Sequence, residues 1–203
     1  MAGLPGRRLV LASGNAGKLR EFNRLLRPMG FDVIAQAALQ IPEAEEPHPT
    51  FVENALAKAR HASRLSGLPA LADDSGICVE ALNGAPGVHS ARFAGEPRSD
   101  ERNNDLLLER LRHASDRSAH YYCVLVLIRN ALDPEPLIAE GIWRGEVGLV
   151  RRGNGGFSYD PLFVDRQLGQ TGAEMDLETK NRLSHRGQAM ERLMALIRQY
   201  ASE

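Results

Sequence analysis

The sequence predicts a single α/β domain built on a mixed sheet. Apolar segments of strand length alternate with segments of helical periodicity along the chain. Past the middle, two strand-like segments are separated by a short polar stretch, which predicts an antiparallel hairpin in a sheet otherwise connected by helical crossovers. The chain has 203 residues, a length that suits one compact domain, so we expect residues 1–203 to form one.

The first part of the chain predicts a strand at residues 9–12, an amphipathic helix from Lys18 onwards and a second strand at residues 31–35. A linker containing three prolines and three glutamates follows. Thr50 and Glu53 then form a capping-box pattern, which predicts a helix over residues 51–66.

The second part predicts short strands at residues 70–72 and 77–79, separated by a polar turn. A helix is expected to begin near Ser99 or Asp100. The other elements expected are hairpin strands at residues 120–129 and 136–142 and final helices at residues 175–182 and 184–200.

Composition narrows the functional classes. The formal net charge of −1 predicts no broad basic surface, so a nucleic-acid partner is not expected. No apolar run approaches membrane-spanning length, and no signal peptide is recognised. Cys78 and Cys123 lie in apolar, strand-like segments, which predicts reduced, buried thiols in the cytosol. The six histidines form no metal-binding spacing, which disfavours a zinc site.

Two adjacent carboxylates, Asp73 and Asp74, follow the apolar segment 68–71. Because neighbouring carboxylates repel each other, such a pair requires a cation, a shared proton or full solvation. Asp, Ser and Gly are also ordinary turn formers. The residues alone therefore leave both a metal site and a solvated turn open.

A phosphate-binding turn is indicated between the first strand and the first helix. Its residues are small or polar, the N-terminal N–H groups of a helix have no partner within the helix, and Lys18 adds a positive charge. The alternative is a capped turn before an amphipathic helix. On the next helix, Glu53 is expected to cap, which leaves Asn54 or Lys58 to face a ligand.

A third segment, residues 155–161, places Phe157, Tyr159 and Asp160 in a glycine-rich loop. This composition suits stacking on a planar base and recognition of its edge, although the same aromatics would also pin the loop into a core. Lys180, His185 and Arg186 add hydrogen-bond donors near the start of the last helix.

Six ordered segments together resemble the Ham1-like family of non-canonical purine nucleoside triphosphate pyrophosphatases, the inosine/xanthosine triphosphatases. The resemblance covers nearly the whole chain. One difference is Ser158, which stands where glycine is frequent in the family. The segments are Ser13-Gly14-Asn15-Ala16-Gly17-Lys18, Phe51-Val52-Glu53-Asn54-Ala55, Ala72-Asp73-Asp74-Ser75-Gly76, Gly84-Ala85-Pro86-Gly87, Gly156-Phe157-Ser158-Tyr159-Asp160-Pro161 and Ser184-His185-Arg186-Gly187.

The resemblance implies an elongated domain with a mixed, twisted central sheet flanked by helices and two lobes with the active-site cleft between them. It also implies a cytoplasmic, Mg²⁺-dependent homodimer. Its activity would be hydrolysis of ITP, dITP and XTP to the monophosphate and pyrophosphate, which keeps these nucleotides out of DNA and RNA. The alternatives are a Maf-like nucleotide pyrophosphatase and a non-catalytic nucleotide-binding module.

Carried over to this sequence, the resemblance makes Asp74 the proton acceptor and a Mg²⁺ ligand. Glu46 becomes the second ligand, with Glu45 able to exchange with it. Lys18 and Lys180 would neutralise pyrophosphate, while donors from His185 and Arg186 would face the base. The full set of expected substrate contacts is Ser13, Gly14, Asn15, Ala16, Gly17, Lys18, Ser75, Phe157, Ser158, Tyr159, Asp160, Lys180, His185 and Arg186.

Overall fold

The computed structural model describes residues 8–14 and 16–201. Its strands form a six-stranded sheet in the order β2-β1-β3-β4-β5-β6. The strands are β1 (Arg8–Leu11), β2 (Asp32–Ala35), β3 (Ala70–Val79), β4 (Ser118–Ile128), β5 (Leu137–Val147) and β6 (Phe163–Asp165). The α-helices are α1 (Ala16–Leu26), α2 (Phe51–Ser66), α3 (Asp100–Arg110), α4 (Leu177–Leu183) and α5 (His185–Ala201).

The predicted mixed sheet flanked by helices is confirmed. Strand β1 pairs in parallel with β2 and β3, while β5 and β6 pair antiparallel. Parallel neighbours need crossover connections, and α1 and α2 supply them between β1, β2 and β3. Strands β4 and β5 are neighbours joined by the short connection predicted from the sequence.

The chain divides into two compact units. Unit 1 comprises the residues up to Asp74, residues 124–139 and the residues from Ala189 onwards. Its core is mainly aliphatic: the three C-terminal residues of β1 are buried, and α2 contributes the small buried residues Ala55, Ala59 and Ala62. Small side chains on one helical face allow close packing of the helix.

Unit 2 comprises residues 75–123 and 140–188, and its core is rich in aromatic side chains. The rings of Tyr121 and Phe163 have centroids 4.7 Å apart, and those of Trp143 and Phe163 are 4.8 Å apart. The indole N–H of Trp143 donates a hydrogen bond of 2.7 Å to Asp165. This bond satisfies the one polar group of a buried ring.

The predicted turn at Asp73 and Asp74 is wrong, because β3 runs without interruption from Ala70 to Val79. The turn was expected because Asp, Ser and Gly are ordinary turn formers and because adjacent carboxylates repel each other unless they are compensated or solvated. In the structure the repulsion is offset by lysines: Lys18 pairs with Asp73, and Lys58 pairs with Asp74. With both charges compensated, the chain remains extended.

Two smaller differences from the prediction follow from tertiary context. Strand β5 extends to Val147 because its C-terminal part pairs with β6, a short strand that the sequence did not indicate. Neither cysteine forms a disulfide, as expected, but Cys78 is half-buried while Cys123 is buried. No helix in the described part of the chain is long and apolar enough to cross a membrane.

Candidate functional site

Lys58 links two carboxylates in unit 1. Its ammonium lies 2.7 Å from Glu46 Oε1 and 2.8 Å from Asp74 Oδ1, so one side chain of α2 holds a loop carboxylate and a strand carboxylate together. We call Glu46, Lys58 and Asp74 the carboxylate cluster. The neighbouring Glu45 is exposed, so of these two adjacent glutamates only Glu46 belongs to the cluster.

The loop that carries Glu46 is anchored to α2. The amide of Asn54 accepts a hydrogen bond from the main-chain N–H of His48 and donates one to its carbonyl, each 3.0 Å long. The helix itself begins with the predicted capping box, in which Thr50 accepts a 3.3 Å hydrogen bond from the N–H of Glu53. The position of Glu46 is therefore defined by the start of α2.

Burial shapes the electrostatics of the cluster. It raises the pKa of Asp74 above its ordinary value; the attraction of Lys58 opposes this rise, and the charges of Glu46 and Asp73 add to it. Burial also disfavours the charge of Lys58, but the attraction of Asp74 and Glu46 outweighs it and raises the pKa of Lys58. The cluster thus combines a firmly protonated lysine with a carboxylate that is more basic than usual.

The donor set of the cluster fits a magnesium ion. Asp74 is 8% exposed, and its Oδ2 is buried with no hydrogen-bond partner among the described residues. Within those same residues, no three or more His, Cys, Asp or Glu side chains are grouped so as to hold a metal by themselves. Mg²⁺ is commonly bound by one or two carboxylates together with substrate phosphates and water, and Glu46 and Asp74 match that requirement.

Asp73 has a different partner from Asp74. Its buried carboxylate forms an ion pair with Lys18 of α1. Lys18 was expected to bind phosphate, and in the structure it lies next to the start of α1 at Ala16. The pair fixes this lysine at the helix N-terminus, where anions are favoured.

The rest of the expected phosphate turn is only partly described. Ser13 is half-buried, and its N–H donates to the carbonyl of Leu11. Gly14 is exposed, and a Cβ built there would lie 2.6 Å from Glu43 Oε1. Asn15 lies outside the described residues, and at Ala16 and Gly17 only the helical backbone is described.

In unit 2, the loop at residues 157–160, here called the aromatic loop, exposes one ring and buries the other. Phe157 is 51% exposed, with the Lys180 ammonium 5.0 Å and the Arg186 guanidinium carbon 5.9 Å from its ring centroid. Tyr159 is fully buried, and its hydroxyl donates to the carbonyl of Ser90 at 2.8 Å. The aromatic loop therefore exposes the ring of Phe157 and is anchored by Tyr159.

Asp160 is buried and organises the aromatic loop from within. It accepts a 2.7 Å hydrogen bond from the N–H of Phe157 and forms an ion pair with Lys180. A side chain at Gly156 would collide with this carboxylate, since a Cβ there would lie 2.3 Å from Asp160 Oδ2. Gly156 also has a φ of 76°, a second reason for glycine at this position.

Two donors stand at the start of α5. The imidazole of His185 stacks on Tyr121 with a centroid distance of 4.6 Å and an interplanar angle of 6°. Arg186 donates a 3.0 Å hydrogen bond to the hydroxyl of Ser75. Both residues are buried, so their orientations are set by packing.

The structure thus places some of the predicted residues in the carboxylate cluster of unit 1 and others in or next to the aromatic loop of unit 2. The sequence predicted that Asn54 or Lys58 would face a ligand, but Lys58 was not included among the expected site residues. Its position on α2 was the signal that could have identified it. Tyr121 was also missed, because strand periodicity marks a buried position but not the ring stacked upon it.

Comparison with known proteins agrees with the resemblance. The sequence profile of the Ham1 family matches residues 9–196. The dITP/XTP pyrophosphatase of Nitrosomonas europaea is 61% identical over 190 residues, covering 94% of each chain. The dITP/XTP pyrophosphatase of Aromatoleum aromaticum is 64% identical over 188 residues, covering 93% of this chain and 95% of that protein.

Solved structures give the same result. A HAM1 protein from Coxiella burnetii has a TM-score of 0.91 at 47% identity, covering 95% of this chain and 98% of that one. The Ham1 protein of Staphylococcus aureus has a TM-score of 0.87 at 36% identity, with 95% and 99% covered. Sequence and fold agree along nearly the whole length, and the chain belongs to the Ham1 family.

Proposed function

We propose that this protein hydrolyses the non-canonical purine nucleoside triphosphates ITP, dITP and XTP to the nucleoside monophosphate and pyrophosphate. Two relatives that are 61% and 64% identical to it are named dITP/XTP pyrophosphatases, which supports this activity. Such an enzyme removes aberrant nucleotides before they enter DNA or RNA.

The observation that carries the proposal is the unpartnered, buried Oδ2 of Asp74. A carboxylate oxygen held out of water without a donor is disfavoured unless a ligand satisfies it. Lys58 occupies the other oxygen of Asp74 and leaves Oδ2 for a cation or for a proton from water. Hydrolysis of a triphosphate needs a cation that binds the phosphates and a group that accepts a proton from water.

Glu46 and Asp74 would hold Mg²⁺, which when bound supplies positive charge to the phosphate oxygens and lowers the pKa of a coordinated water. Asp74 would also accept the proton of the attacking water, with its pKa set by burial, which raises it, and by the bound cation, which would lower it. Lys58 keeps the two carboxylates aligned, and Lys18 neutralises phosphate charge at the start of α1.

The aromatic loop and the start of α5 would recognise the base. Phe157 offers an exposed ring for stacking, while Tyr159 and Asp160 contribute by holding the loop's shape. Hypoxanthine and xanthine carry an acceptor at C6, whereas adenine carries an amino group. Donors from His185 and Arg186 would hydrogen-bond to the acceptor at C6 of hypoxanthine or xanthine. A donor that faced the amino group of adenine would be left without a partner, at a cost of about 1–3 kcal/mol.

The proposals on oligomeric state, location and domain extent rest on membership of the Ham1 family. We propose a homodimer that acts in the cytoplasm, where nucleoside triphosphates are used, and a single catalytic domain over residues 1–203. The small net charge of −1 offers little attraction to nucleic acid, so free nucleotides are the expected ligands.

The test is steady-state pyrophosphate release from ITP, dITP, XTP and the canonical ribonucleoside and deoxyribonucleoside triphosphates, with MgCl₂ or with EDTA. We expect kcat/KM for the three non-canonical purines to exceed that for ATP by about 5- to 150-fold, which corresponds to about 1–3 kcal/mol for one unpaired donor. We also expect EDTA to abolish release.

Other outcomes identify the alternatives. Preferential turnover of canonical or modified pyrimidine nucleotides would indicate a Maf-like pyrophosphatase. Nucleotide binding without any release of pyrophosphate would indicate a binding module.

A further inference from the structure

Ser158 of the aromatic loop adopts a conformation that residues with a side chain rarely adopt. Its φ is 59°, in the left-handed region that favours glycine. Ser158 lies between the exposed Phe157 and the buried Tyr159. Its backbone conformation therefore determines how the loop turns from the surface into the core. An interaction outside the loop is needed to hold it there.

Helix α3 supplies that interaction on both sides of Ser158. The Ser158 N–H donates a 2.6 Å hydrogen bond to Asp100 Oδ2, and the Ser158 carbonyl accepts a 2.8 Å hydrogen bond from Asn104 Nδ2. Asp100 and Asn104 are four residues apart on α3 and therefore lie on the same face of the helix.

Asn104 is built into this arrangement. It is 3% exposed, and its amide nitrogen also donates 2.7 Å to the carbonyl of Asp100, so both of its N–H groups bond to carbonyls. Its Oδ1 is buried without a hydrogen-bond partner among the described residues. Burying an amide oxygen without a partner costs free energy. The two hydrogen bonds that the amide nitrogen donates offset this cost and explain why an asparagine occupies this position.

The same bonds fix Phe157 from one side while Asp160 fixes it from the other. The N–H of Phe157 donates to Asp160 Oδ2, and the following N–H, of Ser158, donates to Asp100. The backbone on both sides of the ring is thereby held, and the ring keeps its place near Lys180 and Arg186.

We propose that Asp100 and Asn104 are positioning residues that hold the aromatic loop in the shape that presents Phe157 to the base. The proposal rests on the proposed function, since it assigns the base contact to Phe157. The two residues act on recognition of the base and leave the phosphate chemistry of the carboxylate cluster unchanged.

The test compares Asn104→Ala and Asp100→Ala with wild type. We expect KM for ITP to rise about three- to tenfold with kcat within twofold, and the inhibition constant of inorganic pyrophosphate, which has no base, to stay unchanged. Asp100→Asn keeps an acceptor oxygen and should recover most of the loss. Glu109→Ala, at an exposed position of the same helix, serves as the matched control and should behave as wild type.

Ser158→Gly provides a second arm, because glycine adopts the left-handed conformation without help. On the Ser158→Gly background, Asn104→Ala should raise KM less than it does in the wild-type protein. If Asn104→Ala fails to fold, the exposed Asp100→Ala variant decides the question.

Amide hydrogen exchange without nucleotide separates this inference from the proposed function. We expect both alanine variants to speed exchange in residues 156–160 and not in β3. If wild-type protein does not hydrolyse ITP, the proposed function fails, while the exchange data still decide whether α3 holds the loop. Unchanged exchange, or an equal loss of pyrophosphate binding, would overturn the positioning role.

Discussion

At the scale of single residues, Asp73 and Asp74 are neighbours in sequence with separate environments. Asp73 is paired with Lys18 of α1, and Asp74 shares Lys58 with Glu46. Each of the two carboxylates of β3 thus receives a lysine, but only Asp74 keeps an oxygen without a partner among the described residues. This difference is the reason why we propose a chemical role for Asp74 and a supporting role for Asp73.

Asp74→Asn tests this assignment. We expect the free energy of unfolding to stay within about 1 kcal/mol of wild type, because the amide has the same shape and removes a charge that burial disfavours. Loss of the proton acceptor should lower kcat for ITP by about 100- to 10,000-fold. Chemical denaturation and pyrophosphate release measure the two effects, and a variant as active as wild type would contradict the assignment.

Glu46 and Glu45 form a matched pair for the metal part of the same test. Glu46→Gln should raise the Mg²⁺ concentration needed for half-maximal activity, whereas Glu45→Gln, at an exposed position outside the cluster, should not change it. Equal effects of the two substitutions would argue against Glu46 as a ligand.

At the scale of elements, the sequence predicted those whose signals are local. Thr50 and Glu53 marked the start of α2, and Ser99 accepts a hydrogen bond at the start of α3 as expected of its cap. Strand β3 could not be predicted in full, because its polar half depends on Lys18, which lies 55 residues from Asp73 in the chain. Nothing near Asp73 in the sequence signals that partner.

In the candidate site, too, local sequence signals were visible, whereas features that depend on distant partners were not. The residue types of the carboxylate cluster and of the aromatic loop were visible in the sequence. The selection of Glu46 over Glu45 was not, because it depends on the loop fold that Asn54 fixes through the main chain of His48. The sequence left open whether the aromatics of the loop would stack on a base or be buried, because the burial of Tyr159 depends on the carbonyl of Ser90, 69 residues away.

The anchoring of the Glu46 loop gives the prediction at this scale. Asn54→Ala removes both hydrogen bonds to His48 and leaves its N–H and carbonyl without the amide, which should lower the free energy of unfolding by about 1–3 kcal/mol. The freed loop should also raise the Mg²⁺ concentration for half-maximal activity. Denaturant unfolding and a Mg²⁺ titration measure the two changes.

His48→Ala is the control, because the bonds to Asn54 use only the main chain of His48 and persist in that variant. We expect it to match wild type in both measurements. A fall in stability without any change in the Mg²⁺ requirement would mean that the loop does not set the position of Glu46.

At the scale of the whole molecule, the boundary between the two units runs through strands. It falls after Asp74 within β3, after Cys123 within β4 and after Ala139 within β5. Each of these strands therefore belongs to both units, and melting one removes hydrogen bonds from both. This continuity supports one cooperative domain over residues 1–203.

Thermal unfolding tests that cooperativity with two independent probes. The only tryptophan in the sequence, Trp143, is buried in unit 2, so its fluorescence reports on that unit, whereas far-ultraviolet circular dichroism reports on the whole sheet and all helices. We expect the two transitions to coincide, with a calorimetric enthalpy of about 140 kcal/mol per chain near 60 °C. The proposed homodimer predicts in addition that the midpoint rises with protein concentration, because its unfolding would be coupled to dissociation. Two separated transitions would instead mean that the units fold independently despite sharing three strands.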